Sequence, residues 1–218
     1  MDTSEKSILK KRGRPVLGVE SKQNIRAALI RSGVELFTEK GFLNAGLDEI
    51  LRRVNVPKGS FYYYFKSKEA FGLAVLESYT QYFNKKIDHW LNNTEITPIK
   101  RIEDFTTDAM AGMERYNYQR GCLVGNLGHE VGFLSERYRH ELEQVLQGWQ
   151  NKIQLCLDQA KEYGELCIDA DTQKLAAFFW IGWEGAVLRS RLVKSNKPLE
   201  LFSQQYIASL PPGKKTAP

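Results

Sequence analysis

The sequence predicts an all-α protein of about nine helices, and three observations carry that prediction. Apolar residues recur at helical spacing through most of the chain, no segment sustains the alternation of a strand, and capping residues punctuate the apolar stripes. Residues 1–20 lack apolar periodicity and read as a basic arm. From Ser21 a stripe of Ile25, Ala28, Leu29, Val34, Leu36 and Phe37 forms the first helix, which ends at Gly41, a suitable C-terminal cap. Leu47, Ile50, Leu51 and Val54 mark a short second helix. Asn55-Val56-Pro57 makes a turn, and a third helix runs from about Lys58 to Phe65. A long fourth helix runs from near Ser67 to about Leu91, with Phe71, Leu73, Val75, Leu76, Tyr79, Tyr82 and Phe83 on its apolar side.

Thr97-Pro98 is a strong start for the fifth helix, because it offers a capping oxygen followed by a residue that needs no N–H partner. That helix is expected to reach about Tyr118. Residues 121–132 form a short, glycine-rich helical piece. Ser135 caps a long helix through Tyr163 that Gly164 ends, Asp171 begins another to about Ser195, and Pro198 begins the last. There is no internal repeat. The domain organisation expected is an arm at 1–20, a helix-turn-helix unit at 21–68, an effector-binding and dimerisation domain at 69–210, and a tail at 211–218.

Charge is divided unevenly. Residues 1–68 hold 14 Lys and Arg against 7 Asp and Glu, while the remainder holds 17 against 19. Basic charge gathered in one segment is the footprint of a phosphate-binding surface. The chain opens MDTSEKSILKKRGRP, with charges where a signal peptide needs an apolar stretch, and no apolar run approaches the roughly 20 residues that span a bilayer. A cytoplasmic protein without a membrane partner is expected. Cys122, Cys156 and Cys167 are too few and too irregularly spaced for a disulfide framework or a zinc site, and no metal or other cofactor is expected. The chain has no nucleophile–base pair and no phosphate-binding glycine loop, which argues against an enzyme.

Two short helices joined by a tight turn, the second basic and aromatic, are a helix-turn-helix able to enter a major groove. Asn55 suits the turn because asparagine tolerates left-handed backbone. The run VPKGSFYYYFKSKEAF, residues 56–71, resembles the signature of the tetracycline-repressor (TetR) family. That resemblance implies a dimer that presents two recognition helices to a palindromic operator in double-stranded DNA. The family often has Thr where this chain has Gly46, Gly where it has Asn55, and Ser where it has Pro57. Gly59 lets the backbone approach DNA, while Lys58, Ser60, Tyr63, Lys66 and Lys68 reach phosphates or base edges. Gly46 and Tyr64 join them as candidate DNA-binding residues, and Tyr62 and Phe65 are expected to face the core. The arm sequence Arg12-Gly13-Arg14-Pro15 resembles an AT-hook core, whose Arg12 and Arg14 lie along a narrow minor groove.

The run AAFFWIGWEGAVLRSRL, residues 176–192, mixes bulky apolar residues with Gly182, Gly185 and Ala186. In TetR-like proteins the last two helices form a four-helix dimer interface, and this segment stands in that place. GCLVGNLG and FWIGWEGA resemble the branch of the family that includes acrylate-responsive regulators. Related branches carry a cysteine at the Gly-Cys position and respond to electrophiles. Cys122 stands at a helix start beside Arg120, where free N–H groups lower a thiol's pKa and welcome a small carboxylate. A buried, inert thiol is the alternative reading. The candidate ligand-binding residues are Cys122, Asn126, His129, Tyr116, Trp149, Trp180, Trp183 and Glu184, with Tyr79 and Phe83 beside them; Glu184 is expected to pair with an arginine such as Arg189 or Arg120. The function expected is a repressor released from its operator by a small-molecule effector, an unsaturated acid or another electrophile. A noncovalent sensor of an unrelated aromatic or apolar ligand is the alternative, and an effector-independent DNA-packaging protein is the weaker one, since it has no use for a large aromatic-rich helical domain.

Overall fold

A computed structural model describes residues 19–213, among which the chain forms nine α-helices, one 3-10 turn and no strand. The helices are α1 (Val19–Lys40), α2 (Leu47–Arg53), α3 (Lys58–Tyr64), α4 (Lys68–Leu91), α5 (Pro98–Arg115), α6 (Leu123–His129), α7 (Glu136–Glu162), α8 (Thr172–Val193) and α9 (Lys197–Ser209), with the 3-10 turn at Val131–Phe133. The expected all-α architecture is therefore present. No helix among the described residues is long and apolar enough to cross a membrane. Arg12, Arg14 and the tail beyond Gly213 lie outside the described residues.

Helices α1 to α3 pack around one aromatic cluster. Phe61 and Phe65 sit 5.5 and 4.9 Å from Phe71 of α4, ring centre to ring centre, and Phe37 of α1 lies 5.9 Å from the same ring. All four rings are buried, and edge-to-face contacts of this kind add to the stabilisation from burial alone. The turn between α2 and α3 is made by Asn55, whose φ of 53° is the left-handed conformation its side chain tolerates. Pro57 precedes the first residue of α3 in extended geometry, and Gly46 does the same for α2, both without a side-chain cap.

Three local expectations need correction. Tyr62 faces solvent rather than the core, because Phe61 and Phe65, four apart, already occupy the buried side of α3. Helix α5 ends at Arg115 instead of Tyr118, because Asn117 and Tyr118 both turn into left-handed backbone. Neither Thr97 nor Ser135 caps its helix through its side chain; Ser135 instead hydrogen-bonds Glu69 of α4, and the Glu165 carboxylate accepts from the Ile99 N–H at 3.0 Å.

Helix α4 runs from the helix-turn-helix into the second half of the molecule and packs on α1, α5 and α7. Gly33 permits the close approach of α1 to α4, since a Cβ there would stand 2.6 Å from both Phe71 and Val75. Helices α5, α7, α8 and α9 enclose a second aromatic core of Phe83, Phe105, Trp149, Phe179, Trp180 and Trp183, with centroid separations of 4.6 to 6.4 Å. The small residues of α8 divide their work. A Cβ at Gly182 would strike Phe202 of α9, so this glycine serves packing within the chain, whereas Gly185 lies on the open face. Replacing Gly33 by Ala overpacks the α1–α4 contact and is expected to cost about 1–3 kcal/mol of unfolding free energy, read by urea denaturation.

Candidate functional site

The helix-turn-helix presents α3 to solvent along one side. Lys58, Gly59, Tyr62, Tyr63 and Lys66 are exposed, while Ser60 and Tyr64 are half-buried. Lys58 pairs with Asp48 of α2 at 3.0 Å, and the Lys22 ammonium stands 5.0 Å over the Tyr63 ring. A Cβ at Gly46 or Gly59 would meet nothing within 4 Å, so the surface at both points is open to a large partner. Lys68 differs from the rest. Its ammonium donates to the Phe42 carbonyl at 2.8 Å and sits 4.6 Å over the Phe42 ring, and burial lowers its pKa against the raising influence of Glu130. Lys68 is thus half-buried and engaged with the loop after α1.

A cavity of about 480 Å³ opens where α1, α4, α5 and α8 meet. Its floor is Tyr79, Trp183 and Val187, all less than a tenth exposed, and Tyr82 and Tyr116 stand at its mouth with 63% and 45% of their surface free. Phe83 and Met113 add apolar wall. Arg31, Val34, Glu35 and Thr38 of α1 complete the lining, so the helix that underpins the helix-turn-helix is also a wall of the cavity. Sequence reasoning missed that contribution. The signal lay in the spacing of Arg31, Val34, Glu35 and Thr38 at helical intervals, a second face of α1 beside its core stripe.

Of the expected ligand-binding residues, Cys122, Tyr116, Trp183 and Glu184 line this cavity together. Asn126, His129, Trp149 and Trp180 do not. His129 is exposed at the end of α6; Trp149 is fully buried and donates its Nε1–H to Asn84; Trp180 is buried behind the floor. Arg120 stacks 4.2 Å over Tyr116 and pairs with Glu39 at 3.2 Å rather than with Glu184. The Glu184 carboxylate finds no arginine. Its Oε1 is buried without a hydrogen-bond partner among the described residues, and its Oε2 fills the space a Cβ at Gly125 would need.

The electrostatics of this corner favour the buried, inert reading of Cys122 over the activated one. Cys122 does stand before α6, but burial, and then the Glu184 charge beside it, push its thiol well above the ordinary range. A seven-residue helix and one backbone N–H from Gly125 do not offset those two effects. Both effects favour the protonated thiol over the thiolate. Burial likewise raises the Tyr79 phenol and holds Glu184 up at about 7.

The cavity is joined to the helix-turn-helix by a capping network at the end of α1. A helix leaves its last four carbonyls without intrahelical partners. Here the Asn126 amide donates to Phe37 O at 2.8 Å and Thr38 O at 3.0 Å, Gly121 N donates to Thr38 O at 2.9 Å, and Arg191 Nη2 donates to Glu39 O at 2.7 Å. Lys40 O accepts from Asn44 at 3.3 Å. Arg191 Nη1 also holds the Asn126 oxygen at 3.0 Å, which orients the amide. Just beyond, the Glu130 carboxylate accepts from Phe42 N at 2.9 Å and lies where a Cβ on Gly41 would intrude. Asn126 thus has a partner for each side-chain atom and serves as a joint between halves.

Glu184 yields a stability prediction whose sign follows from its raised pKa. The folded protein holds this proton up to about 7 while the unfolded chain releases it near 4.5, so the group's contribution falls as pH rises between those values. The stability difference between Glu184→Gln and the parent protein is expected to move by about 2–3 kcal/mol in favour of the variant from pH 4.5 to pH 8. Thermal melts across that range measure it; a difference that does not change with pH contradicts it.

Comparison with known proteins agrees with the geometry of both halves. Residues 29–75 match the family model for bacterial regulatory proteins of the tetR family, and residues 98–206 match the model for the tetracyclin repressor-like C-terminal domain. The chain is 44% identical to the transcriptional regulator AcuR of Cereibacter sphaeroides over 90% of its own length and 89% of that protein's. It is 30% identical to the transcriptional repressor DhaR of a Mycobacterium species, over 86% and 93% of the two chains. The crystal structure of a regulatory protein TetR from Rhodobacter sphaeroides, 44% identical, superposes with a TM-score of 0.83 over 85% of this chain and 98% of that one. With its helix-turn-helix, its helical second half and these matches across both, the chain belongs to the tetR family of bacterial transcriptional regulators.

Proposed function

We propose that this chain is a ligand-responsive repressor that holds a palindromic operator as a homodimer and releases it when a small molecule fills the cavity. One observation carries the reading. The cavity wall is shared between α1 of the helix-turn-helix unit and the helices of the second half, so an occupant touches both. A ligand shifts an equilibrium only by its differential affinity for two states, and contact with both halves supplies such a difference. Coupling of about 1–3 kcal/mol, a usual range, corresponds to a five- to 150-fold change in operator affinity. Repression in the related DhaR and the similarity to AcuR support the regulatory direction.

The recognition surface is the exposed face of α3. Lys58, Tyr63 and Lys66 reach phosphates or base edges, the open surface at Gly59 and Gly46 admits the DNA backbone, and Ser60 and Tyr64 border the contact. Pairing of two copies falls to α8 and α9. Phe178, Ile181, Leu188 and Leu192 form an exposed apolar stripe at helical spacing on α8, with Gly185 among them and Leu201 of α9 beside it. Such a stripe is costly in water and is covered when two copies meet about a twofold axis.

The resemblance to acrylate-responsive regulators makes an unsaturated acid or another electrophile the first effector to test. Because Cys122 is held protonated, occupancy of the cavity rather than covalent capture triggers release. Operator binding followed by fluorescence anisotropy tests both surfaces. Lys58→Ala is expected to weaken binding by about 1–3 kcal/mol and to reduce the slope of log affinity against log salt by about one. Cys122→Ser is expected to keep its response to every inducer; loss of that response specifically to electrophiles would show covalent sensing instead.

A further inference from the structure

The floor of the cavity is mostly apolar, and Glu184 brings its one carboxylate. Tyr79, Trp183 and Val187 line the cavity with Glu184, whose Oε1 is buried and has no hydrogen-bond partner among the described residues. A buried acceptor left unpaired costs about 1–3 kcal/mol, so an occupant that satisfies it gains on entering. The groups around Glu184 are settled by element. Helix α4 brings the Tyr79 phenol, the segment before α6 brings the Cys122 thiol, and α6 brings Gly125, which leaves the carboxylate its space. On α8 itself Arg191, two turns on, is committed to the Glu39, Gln119 and Asn126 oxygens. The remaining cationic groups sit toward the mouth, where Lys86 pairs with Asp108, Arg120 pairs with Glu39, and Arg31 is exposed on α1 beside Glu35. Among the described residues no cation stands at the floor to neutralise a second negative charge.

We propose that Glu184 is the specificity-determining residue of this cavity and that the effector presents a neutral hydrogen-bond donor, an O–H or N–H, to its unpartnered oxygen. A bare carboxylate at the floor would face Glu184 with like charge in a low-dielectric setting, where repulsion is strongest. A weak acid therefore enters with one proton shared between its carboxyl and Glu184, whereas an unsaturated alcohol or amide enters without any change of protonation. The aromatic floor suits a flat apolar body behind that donor. The inference rests on the cavity being the effector site and narrows the chemistry it accepts.

The experiment is calorimetric titration of the full chain, without DNA, using three probes of one shape: cinnamyl alcohol, cinnamamide and cinnamate. At pH 8 the alcohol and amide are expected to bind at least about tenfold more tightly than cinnamate, whose binding there takes up close to one proton. Lowering the pH to 6 is expected to recover about tenfold for cinnamate alone, with uptake falling toward zero. Glu184→Gln, which keeps shape and adds a donor, is expected to bring cinnamate at pH 8 within about threefold of the other two. Glu184→Leu, which removes the acceptor, is expected to weaken the alcohol and amide while leaving no preference over cinnamate. Cinnamate binding as well as the neutral probes at pH 8, a ranking that Glu184→Gln leaves intact, or no binding of any probe at millimolar concentration would each overturn the proposal. If the ranking holds but no probe alters operator affinity, the effector reading fails and the specificity stands. If another inducer releases the operator while the ranking ignores Glu184, the reverse is true.

Discussion

The end of α1 is the constraint on which the rest of this structure turns. Its four terminal carbonyls carry the negative end of the helix dipole and need donors. Two donors, Gly41 N and the Asn44 amide, come from the loop that follows, and the others come from Asn126, Gly121 and Arg191 in the second half of the chain. The helix-turn-helix unit is therefore not an independent bead on a linker. It is completed by hydrogen bonds from the domain that holds the cavity, and one of those bonds is made by a guanidinium, whose charge strengthens it.

Helix α8 makes this arrangement more than structural. Glu184, Val187 and Arg191 follow one another at intervals of three and four, so the residues that meet the cavity and the residue that grips α1 share one face of one helix. The neighbouring face carries the exposed apolar stripe. A ligand seated on Glu184 thus presses on the same rigid element that caps α1 and that two copies would share. On the proposed function, a movement of α8 would reach α1 through Arg191, and α3 through the Phe37–Phe71–Phe61 contacts.

Much of this was legible in the sequence. Stripe spacing located the first, second and fourth helices, and capping, proline and glycine signals located most of the later ones. The Asn55 turn and the basic, aromatic run after it located the recognition unit, and GCLVGNLG with FWIGWEGA hold residues of two walls of the cavity. Individual side chains were less legible, for physical reasons. Tyr62 and Phe61 differ by one position, and only packing against Phe71 decides which of two adjacent aromatics turns inward. Lys68 reads as a phosphate-binding lysine until Phe42 is seen to fold back beneath it. Cys122 at a helix start implied an activated thiol, yet burial, and then the charge of Glu184 62 positions later, act on it in the opposite direction. Arg191 and Glu130 drew no notice because capping across halves leaves no local pattern. Charge and periodicity act along the chain; these contacts act across it.

The most direct measurement is hydrogen exchange of the α1 C-terminus in Arg191→Met compared with the parent protein. If Arg191 and Asn126 hold the two halves together, amides of residues 38–44 exchange about ten- to a hundredfold faster in the variant, while those in the middle of α7 are unchanged. Equal protection of residues 38–44 in both proteins would contradict the account, because α1 would then be held without the grip on which the coupling depends.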